Sequence, residues 1–292
     1  MERHFLPLYM QEPEKNQRAK PIIMGIVNLN TDSFYAQSRL LDPGDYMEKV
    51  GQMLEEGAQI IDLGAQSTRP GAVELSEMEE EERLLSALEN IRKIWPQIPI
   101  SVDSYRSNIA LKCLNAGAGI INDISGGKWD KDMYSIVAKH NATLVLMHLE
   151  GNFDTMHQTE IHSSVFERVY HSLQAKISDA QKSGIDKIWI DPGFGFSKSL
   201  QQNWKLLAEM GKLKSLNYPI LAGISRKRMI AQPLHTDAQG ALYGTIAAHM
   251  IALQNGADIL RVHDVKAASD TIAIFMESEN SKGNSFYSSS FL

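Results

Sequence analysis

The chain has 292 residues, 43% of them hydrophobic and 22% charged, with a formal net charge of −6. This is ordinary globular composition, with room for one or two domains. The acidic balance and the lack of a Lys/Arg-rich block argue against nucleic acid as a partner, while a local group of cations could still take a small anion.

A single cysteine, Cys113, precludes an intrachain disulfide, and no Cys/His metal cluster is visible. The opening MERHFLPLYM lacks a long apolar run, and no stretch reaches the ~18 apolar residues of a membrane span. Neither a secretory signal nor a span is expected, which favours the cytoplasm.

Residues 1–20 read as a tail. From there, eight short apolar runs end in polar residues or Gly: 21–28, 59–66, 98–104, 119–126, 143–150, 187–193, 218–225 and 258–264. Each has the length and the Ile/Val/Leu content of a buried parallel strand. The segments between them read as helices. MEKVGQMLEEGA closes on Gly57, SEMEEEERLLSALENIRKIW opens on Ser76 as N-cap, and RSNIALKCLNAG closes on Gly117. KDMYSIVAKHN, an amphipathic stretch from about Ile161 to Gly184, SLQQNWKLLAEMGKLKSLN, the small-residue-rich QGALYGTIAAHMIALQNG and a last helix over about Val265 to Glu277 follow. Residues 279–292, rich in Ser and Asn, read as a second tail.

Strand and helix alternating eight times is the pattern of an α/β fold closed into a (β/α)8 TIM barrel, a single domain over 21–278. An open doubly wound sheet usually has fewer strands and a Gly-rich first turn, and here the first strand ends in Asn-Leu-Asn-Thr-Asp. Glu79 to Glu82 fall in the first turns of a helix, where carboxylates suit the dipole; this explains them better than a metal site does.

In a barrel the polar residues at the strand C-termini face the active site. Here they are Asn28, Asp62, Asp103 with Ser104, Asn122 with Asp123, His148, Asp191, Ser225-Arg226-Lys227, and Arg261 with His263 and Asp264. Burying so many charges is costly unless they pair or meet a ligand. Asp103, Asn122 and Asp191 suit a flat heterocycle with N–H donors, such as a pterin or purine. Arg69, Ser225, Arg261 and His263 suit an anion, and three of the four follow strands seven and eight, where many barrels bind phosphate. Lys227 could serve either group. Asn28 offers a neutral oxygen that, with a phosphate, could hold Mg2+.

The segments GIVNLNTDSF, IDLGAQSTRPGA, SVDSYR, INDISGG, LMHLEGNFDTM, IDPGFGFSK, GISRK and RVHDV, in this order, resemble the signature segments of the dihydropteroate synthase family. STRPGA, DPGFGFSK and SRK together are far more specific than any one alone. The resemblance implies a (β/α)8 barrel that joins 6-hydroxymethyl-7,8-dihydropterin pyrophosphate to p-aminobenzoate in folate biosynthesis, releasing pyrophosphate. It implies a homodimer and Mg2+ on Asn28, and it places the chain in a family that is the target of sulfonamides, which mimic p-aminobenzoate.

Carried over residue by residue, it implies a pterin site of Asp103, Asn122, Asp191 and Lys227, shaped by Met147, Phe196 and Gly223. Arg261 would stack on the ring or hold phosphate, and His263 would hold phosphate. Thr68, Arg69 and Ser225 would contact pyrophosphate or p-aminobenzoate. Phe34 and Pro70 would wall the aminobenzoate slot, with Asp32 and Phe34 on a catalytic loop.

The chain departs from the family in two loops. Asn30-Thr31-Asp32-Ser33-Phe34 lacks the usual proline after Thr31 and the Gly-Gly after Phe34. Gln66 stands where Glu is common. A methyltetrahydrofolate-dependent methyltransferase shares the barrel and pterin pocket but has no need of STRPGA or the SRK lysine; an inactive pterin-binding paralogue is the other alternative. His148 reads as a buttress or core residue. His140, His157, His162, His171 and His249 read as structural or solvated, Cys113 as packed, and Asp62 and Asp123 as partners of an Arg or of their neighbours.

Overall fold

The structure, a computed structural model, describes residues 19–29, 43–69, 71–158 and 164–283. In chain order the elements are β1 (Ile22–Asn28), α1 (Pro43–Glu55), β2 (Ile60–Gly64), α2 (Glu77–Ile94), β3 (Ile100–Asp103), α3 (Ser107–Asn115), β4 (Ile120–Asp123), α4 (Met133–Lys139), β5 (Thr143–Met147), α5 (Val165–Lys182), β6 (Ile188–Asp191), α6 (Leu200–Glu209), β7 (Leu221–Ala222), α7 (Arg228–Ala231), α8 (Leu242–Gln254), β8 (Ile259–Val262) and α9 (Val265–Gly283). The strands are all parallel and run β6-β5-β4-β3-β2-β1-β8-β7. One bridge, Ile190 to Ile220, joins the two ends and closes the barrel.

Local chemistry explains the boundaries. Ser76 caps α2 by accepting from the Glu79 N–H, with acids in the first turn and Arg92 and Lys93 in the last. Ser199 and Gln202 form a capping box on α6. That helix tightens into a 3-10 turn over Met210–Leu216 and stops at Asn217, which takes a left-handed φ of 61°.

Three features differ from the sequence reading. α9 continues past Glu277 to Gly283, so residues 279–283 are helical and not tail. A short helix, α7, follows the SRK segment. β7 keeps only two residues of its apolar run, because the chain turns away into a loop where Arg226 has a φ of 54°. Residues 1–18 and 284–292 of the two proposed tails lie outside the described residues.

Strand alternation sorts the interior. Ile61, Leu63, Ile100, Val102, Ile121 and Leu144 face outward into the main core beneath the helices. The inward set forms a separate plug of Ile22, Met24, Ile60, Ile120, Val145, Trp189, Leu221 and Ile259. β3 supplies no apolar residue to it. Its inward position is Ser101, whose buried Oγ has no hydrogen-bond partner among the described residues. A buried, unpaired hydroxyl costs about 1–3 kcal/mol. Ser101→Ala is therefore expected to leave stability unchanged or raise it by about 1 kcal/mol in urea unfolding; a loss would show that the hydroxyl is bonded.

Candidate active site

Two residues beyond the plug the same inward alternation presents Asp62 on β2, Asp103 on β3, Asn122 on β4, Met147 on β5, Asp191 on β6 and Arg261 on β8, and four residues beyond Met24 and Ile60 it presents Asn28 on β1 and Gly64 on β2. The sheet register sets Asn28 beside Gly64, Gly64 beside Asp103, Asp103 beside Asn122, and Met147 beside Asp191. Asp123, adjacent to Asn122, must face the other way. It leaves the ring and accepts the N–H groups of Ser125 and Gly127.

Arg261 crosses the ring to two carboxylates. Its Nε donates to Asp62 Oδ2 and its Nη2 to Asp103 Oδ2, both at 2.6 Å. Asp62 is fully buried, and its Oδ1 has no partner among the described residues. Asn122 Nδ2 approaches Asp62 Oδ2 at 3.4 Å. Burial pushes the Asp103 carboxyl up to about 7; Arg261 opposes this and Asp62, Glu80 and Asp123 add to it. Burial acts to lower the Arg261 pKa, but Asp62 and Asp103 outweigh it and raise it.

Opposite lies the second half. Asp191 Oδ1 accepts the Gly193 N–H at 2.7 Å, and burial raises its pKa against the pull of Lys227. Lys227 Nζ donates to the Phe194 carbonyl at 2.5 Å and sits 4.8 Å from the Phe196 ring centroid. Burial lowers it to about 8, with Asp191 working the other way. Gly223 leaves the space between them open, since a Cβ there would lie 3.7 Å from Asp191 Oδ2 and 3.9 Å from Lys227 Nζ. The turn after Asp191 needs Gly193, at φ 70°, because a Cβ would overlap the His148 carbonyl.

Lys198 ties that turn together. Its buried Nζ donates to His148 Nδ1 at 2.8 Å, the Gly193 carbonyl at 2.9 Å and the Phe196 carbonyl at 3.1 Å. Burial pushes Lys198 down to about 7, and burial with the Lys198 charge pushes His148 down to about 3. His148 is thus a neutral buttress behind the pocket, as its sequence position suggested. Lys198 ends the DPGFGFSK segment, and nothing in the sequence pattern distinguishes it as the residue that ties this turn.

At the anion end, Ser225 Oγ lies 3.1 Å from His263 Nδ1. Burial, then the charges of Arg261 and Lys49, lower His263 to about 3, so the imidazole is held neutral. Arg226 points away from this end, bidentate to Asp264 at 2.7 and 2.8 Å and bonded to the Ala238 and Gln239 carbonyls.

The loop after β2 carries Thr68 and an exposed Arg69. Among the described residues the Arg69 side chain pairs with nothing, so it does not join Ser225 and His263 in a preformed anion cluster. Gln66 fastens the loop, donating to the Ser67 and Val73 carbonyls and accepting the Leu75 N–H. An amide can do both, which a carboxylate cannot. From the start of α3, Arg106 holds the far end through Glu74 and the Leu75 carbonyl, and pairs with Glu80. Glu80 is fully buried, so one member of the helix-start acid run is also an internal ion-pair partner. Neither His157 nor His249 is a solvated residue. His157 donates from Nε2 to the Thr68 carbonyl at 2.8 Å, and His249 is buried with both ring nitrogens unpartnered among the described residues. Asp32, Phe34 and Pro70 lie outside the described residues.

Residues 24–263 match the model of the pterin-binding enzymes. The chain is 38% identical over 259 residues to a dihydropteroate synthase of Streptococcus pyogenes, covering 87% of this chain and 94% of that one. It has the same identity to the folic acid synthesis protein fol1 of Pneumocystis carinii, covering 86% of this chain, but spans only 35% of that longer protein. Among solved structures it superposes on Xanthomonas albilineans dihydropteroate synthase with 4-aminobenzoic acid at a TM-score of 0.83 and 35% identity, covering 89% and 93% of the two chains. The Yersinia pestis enzyme in a sulfonamide drug complex gives 0.84 at 33% identity, covering 89% and 95%. The chain belongs to the pterin-binding enzyme family, and within it to the dihydropteroate synthases.

Lys198 makes stability depend on pH. Its folded pKa is about 7, below its unfolded value of 10.5. Between these the unfolded chain binds the extra proton, so stability rises with pH. Lys176 and Lys227, each lowered to about 8, act in the same sense. The urea midpoint is expected to rise from pH 7 to 9. Lys198→Met should reduce that rise by on the order of 1 kcal/mol; an unaltered slope would contradict the buried-lysine assignment.

Proposed function

We propose that this chain is a dihydropteroate synthase that transfers the pterinylmethyl group of 6-hydroxymethyl-7,8-dihydropterin pyrophosphate to p-aminobenzoate. The observation that carries the reading is the inward layer above the apolar plug. Asp103, Asn122 and Asp191 offer acceptors around the barrel mouth, and Lys227 and Phe196 lie on the Asp191 side. The aminopyrimidinone edge of a pterin presents adjacent N–H donors, which carboxylates and an amide oxygen match. Lys227 reaches toward the ring carbonyl. Arg261, already committed to Asp62 and Asp103, supports a ring-side role better than a phosphate contact.

The reaction breaks the C–O bond between the pterin methylene carbon and pyrophosphate. It forms a C–N bond to the arylamine, which then loses a proton. The dihydropterin stabilises positive charge on the methylene carbon, and the arylamine is already nucleophilic, so no strong base is required. What the protein supplies is orientation of the two substrates and stabilisation of the leaving group. His263 and Ser225 would act there as neutral hydrogen-bonding groups, with Thr68 and Arg69 brought in by the loop after β2.

Asn28 fits a magnesium ion held chiefly by substrate. Its side chain has no hydrogen-bond partner among the described residues, and those residues contain no cluster of three His, Cys, Asp or Glu able to hold a metal. One neutral protein oxygen plus phosphate oxygens and water is a usual Mg2+ set. When bound, the ion would neutralise pyrophosphate charge.

No helix among the described residues is long and apolar enough to cross a membrane, which supports a cytoplasmic enzyme. Purified protein with the pterin pyrophosphate, Mg2+ and radiolabelled p-aminobenzoate should yield dihydropteroate, and a sulfonamide should compete with p-aminobenzoate. Pterin binding without product would leave an inactive paralogue. Lys227→Ala should weaken pterin binding roughly 10-fold or more without unfolding the chain; unchanged affinity would refute the pocket.

A homodimer is the assembly that the surface of α8 and α9 supports. A cavity of about 610 Å³ runs between them, lined in part by Leu242, Ile246, Met250 and Ile274. Nearby, Tyr243 is 83% and Ile274 65% exposed. Apolar groups of this size gathered on one face mark an interface. Light scattering should give twice the chain mass, and Ile246→Glu should give a folded monomer; a monomeric wild type would exclude the dimer.

A further inference from the structure

His157 belongs to neither substrate site, yet it touches the walls of both. Its Nε2 meets the Thr68 carbonyl at 2.8 Å, across 89 residues of sequence. A carbonyl only accepts, so Nε2 must carry the proton. The same ring stacks on Phe196, with centroids 5.6 Å apart and planes 19° apart. Phe196 carries the Lys227 ammonium 4.8 Å from its centroid.

The loop bearing His157 is itself well anchored. Met156 is buried beside Phe196, and its carbonyl accepts the Ser197 N–H at 2.7 Å. The imidazole is therefore a fixed post rather than a swinging surface group. The loop after β2, by contrast, is held at its stem by Gln66 and at its far end by Arg106. Between those two attachments Arg69 is exposed, and the His157 bond to Thr68 secures the stretch next to it.

We propose that His157 is a positioning residue for the second substrate: it fastens Thr68 and Arg69 to the Phe196–Lys227 wall of the pterin pocket, so that the p-aminobenzoate slot takes its shape from that wall. This rests on the reading of the two pockets given above. A positioning contact of this kind acts on capture of p-aminobenzoate and leaves the pterin edge, made by Asp103, Asn122 and Asp191, as it was. Losing one hydrogen bond of ordinary strength corresponds to roughly a 3- to 10-fold change.

Three variants of the full chain separate the contacts. His157→Ala removes both, His157→Gln keeps a donor for Thr68, and His157→Phe keeps the stack. The KM for p-aminobenzoate should rise roughly 3- to 10-fold in the Ala and Phe variants and return toward wild type in the Gln variant. Pterin affinity, read by direct titration with 6-hydroxymethylpterin, should hold within about twofold in all three. Hydrogen exchange at the Thr68 and Arg69 amides should quicken in the Ala and Phe variants. An unmoved KM for p-aminobenzoate, a parallel loss of pterin affinity, or a Gln variant no better than Phe would each overturn the proposal. A wild-type chain that makes no dihydropteroate would sink the activity itself, whereas an active wild type with an unaffected Ala variant would sink only the role of His157.

Discussion

The structure turns on one guanidinium. Arg261 lies over the apolar plug and binds Asp62 and Asp103 across the barrel mouth. Without it, two buried carboxylates would face each other in a site closed below by Ile60, Ile120 and Val145. Unpaired buried charge is among the costliest arrangements in a protein. The pairing is incomplete all the same. Asp103 remains pushed up toward neutrality, and Asp62 keeps one oxygen without a partner. A site left so is built for a ligand that donates hydrogen bonds.

Burial depresses the basic groups in the rest of the site. His148 and His263 are both held far below their ordinary range, and Lys198 and Lys227 near the point of losing their protons. Burial is the first cause in every case. Chemistry that departs with an anionic leaving group and needs no strong base is consistent with such a set. The three carbonyl and imidazole acceptors around Lys198 show how one buried amine shapes the turn that carries Phe194 and Phe196.

The loops tell a different story from the strands. Gln66 lacks the charge of the glutamate common at that place, yet its amide makes three hydrogen bonds that hold the loop after β2. Glu80 was legible as a helix-start acid, but burial made it the partner of Arg106. Both outcomes depend on what another strand brings alongside.

The eight strands, their order and the ring of polar residues were legible because apolar runs ending in polar residues recur along the chain. Strand alternation then decides the faces: Asn122 and Asp123 end the same strand, and one residue of offset puts them on opposite sides of the barrel wall, with Asp123 bonded to its neighbours Ser125 and Gly127. The motif segments also carried the family. Lys198, Arg106 and His157 were not legible as working residues. A lysine in a loop or a lone histidine has no periodicity, and its role comes from a carbonyl or a ring tens of residues away. Local pattern and ordered motifs are enough to specify the barrel, its inward layer and the family. Which buried charges pair, which histidines are neutral and how the loop after β2 is fastened to the pterin wall follow from the closed fold, because desolvation and long-range contact exist once the strands are joined into a ring.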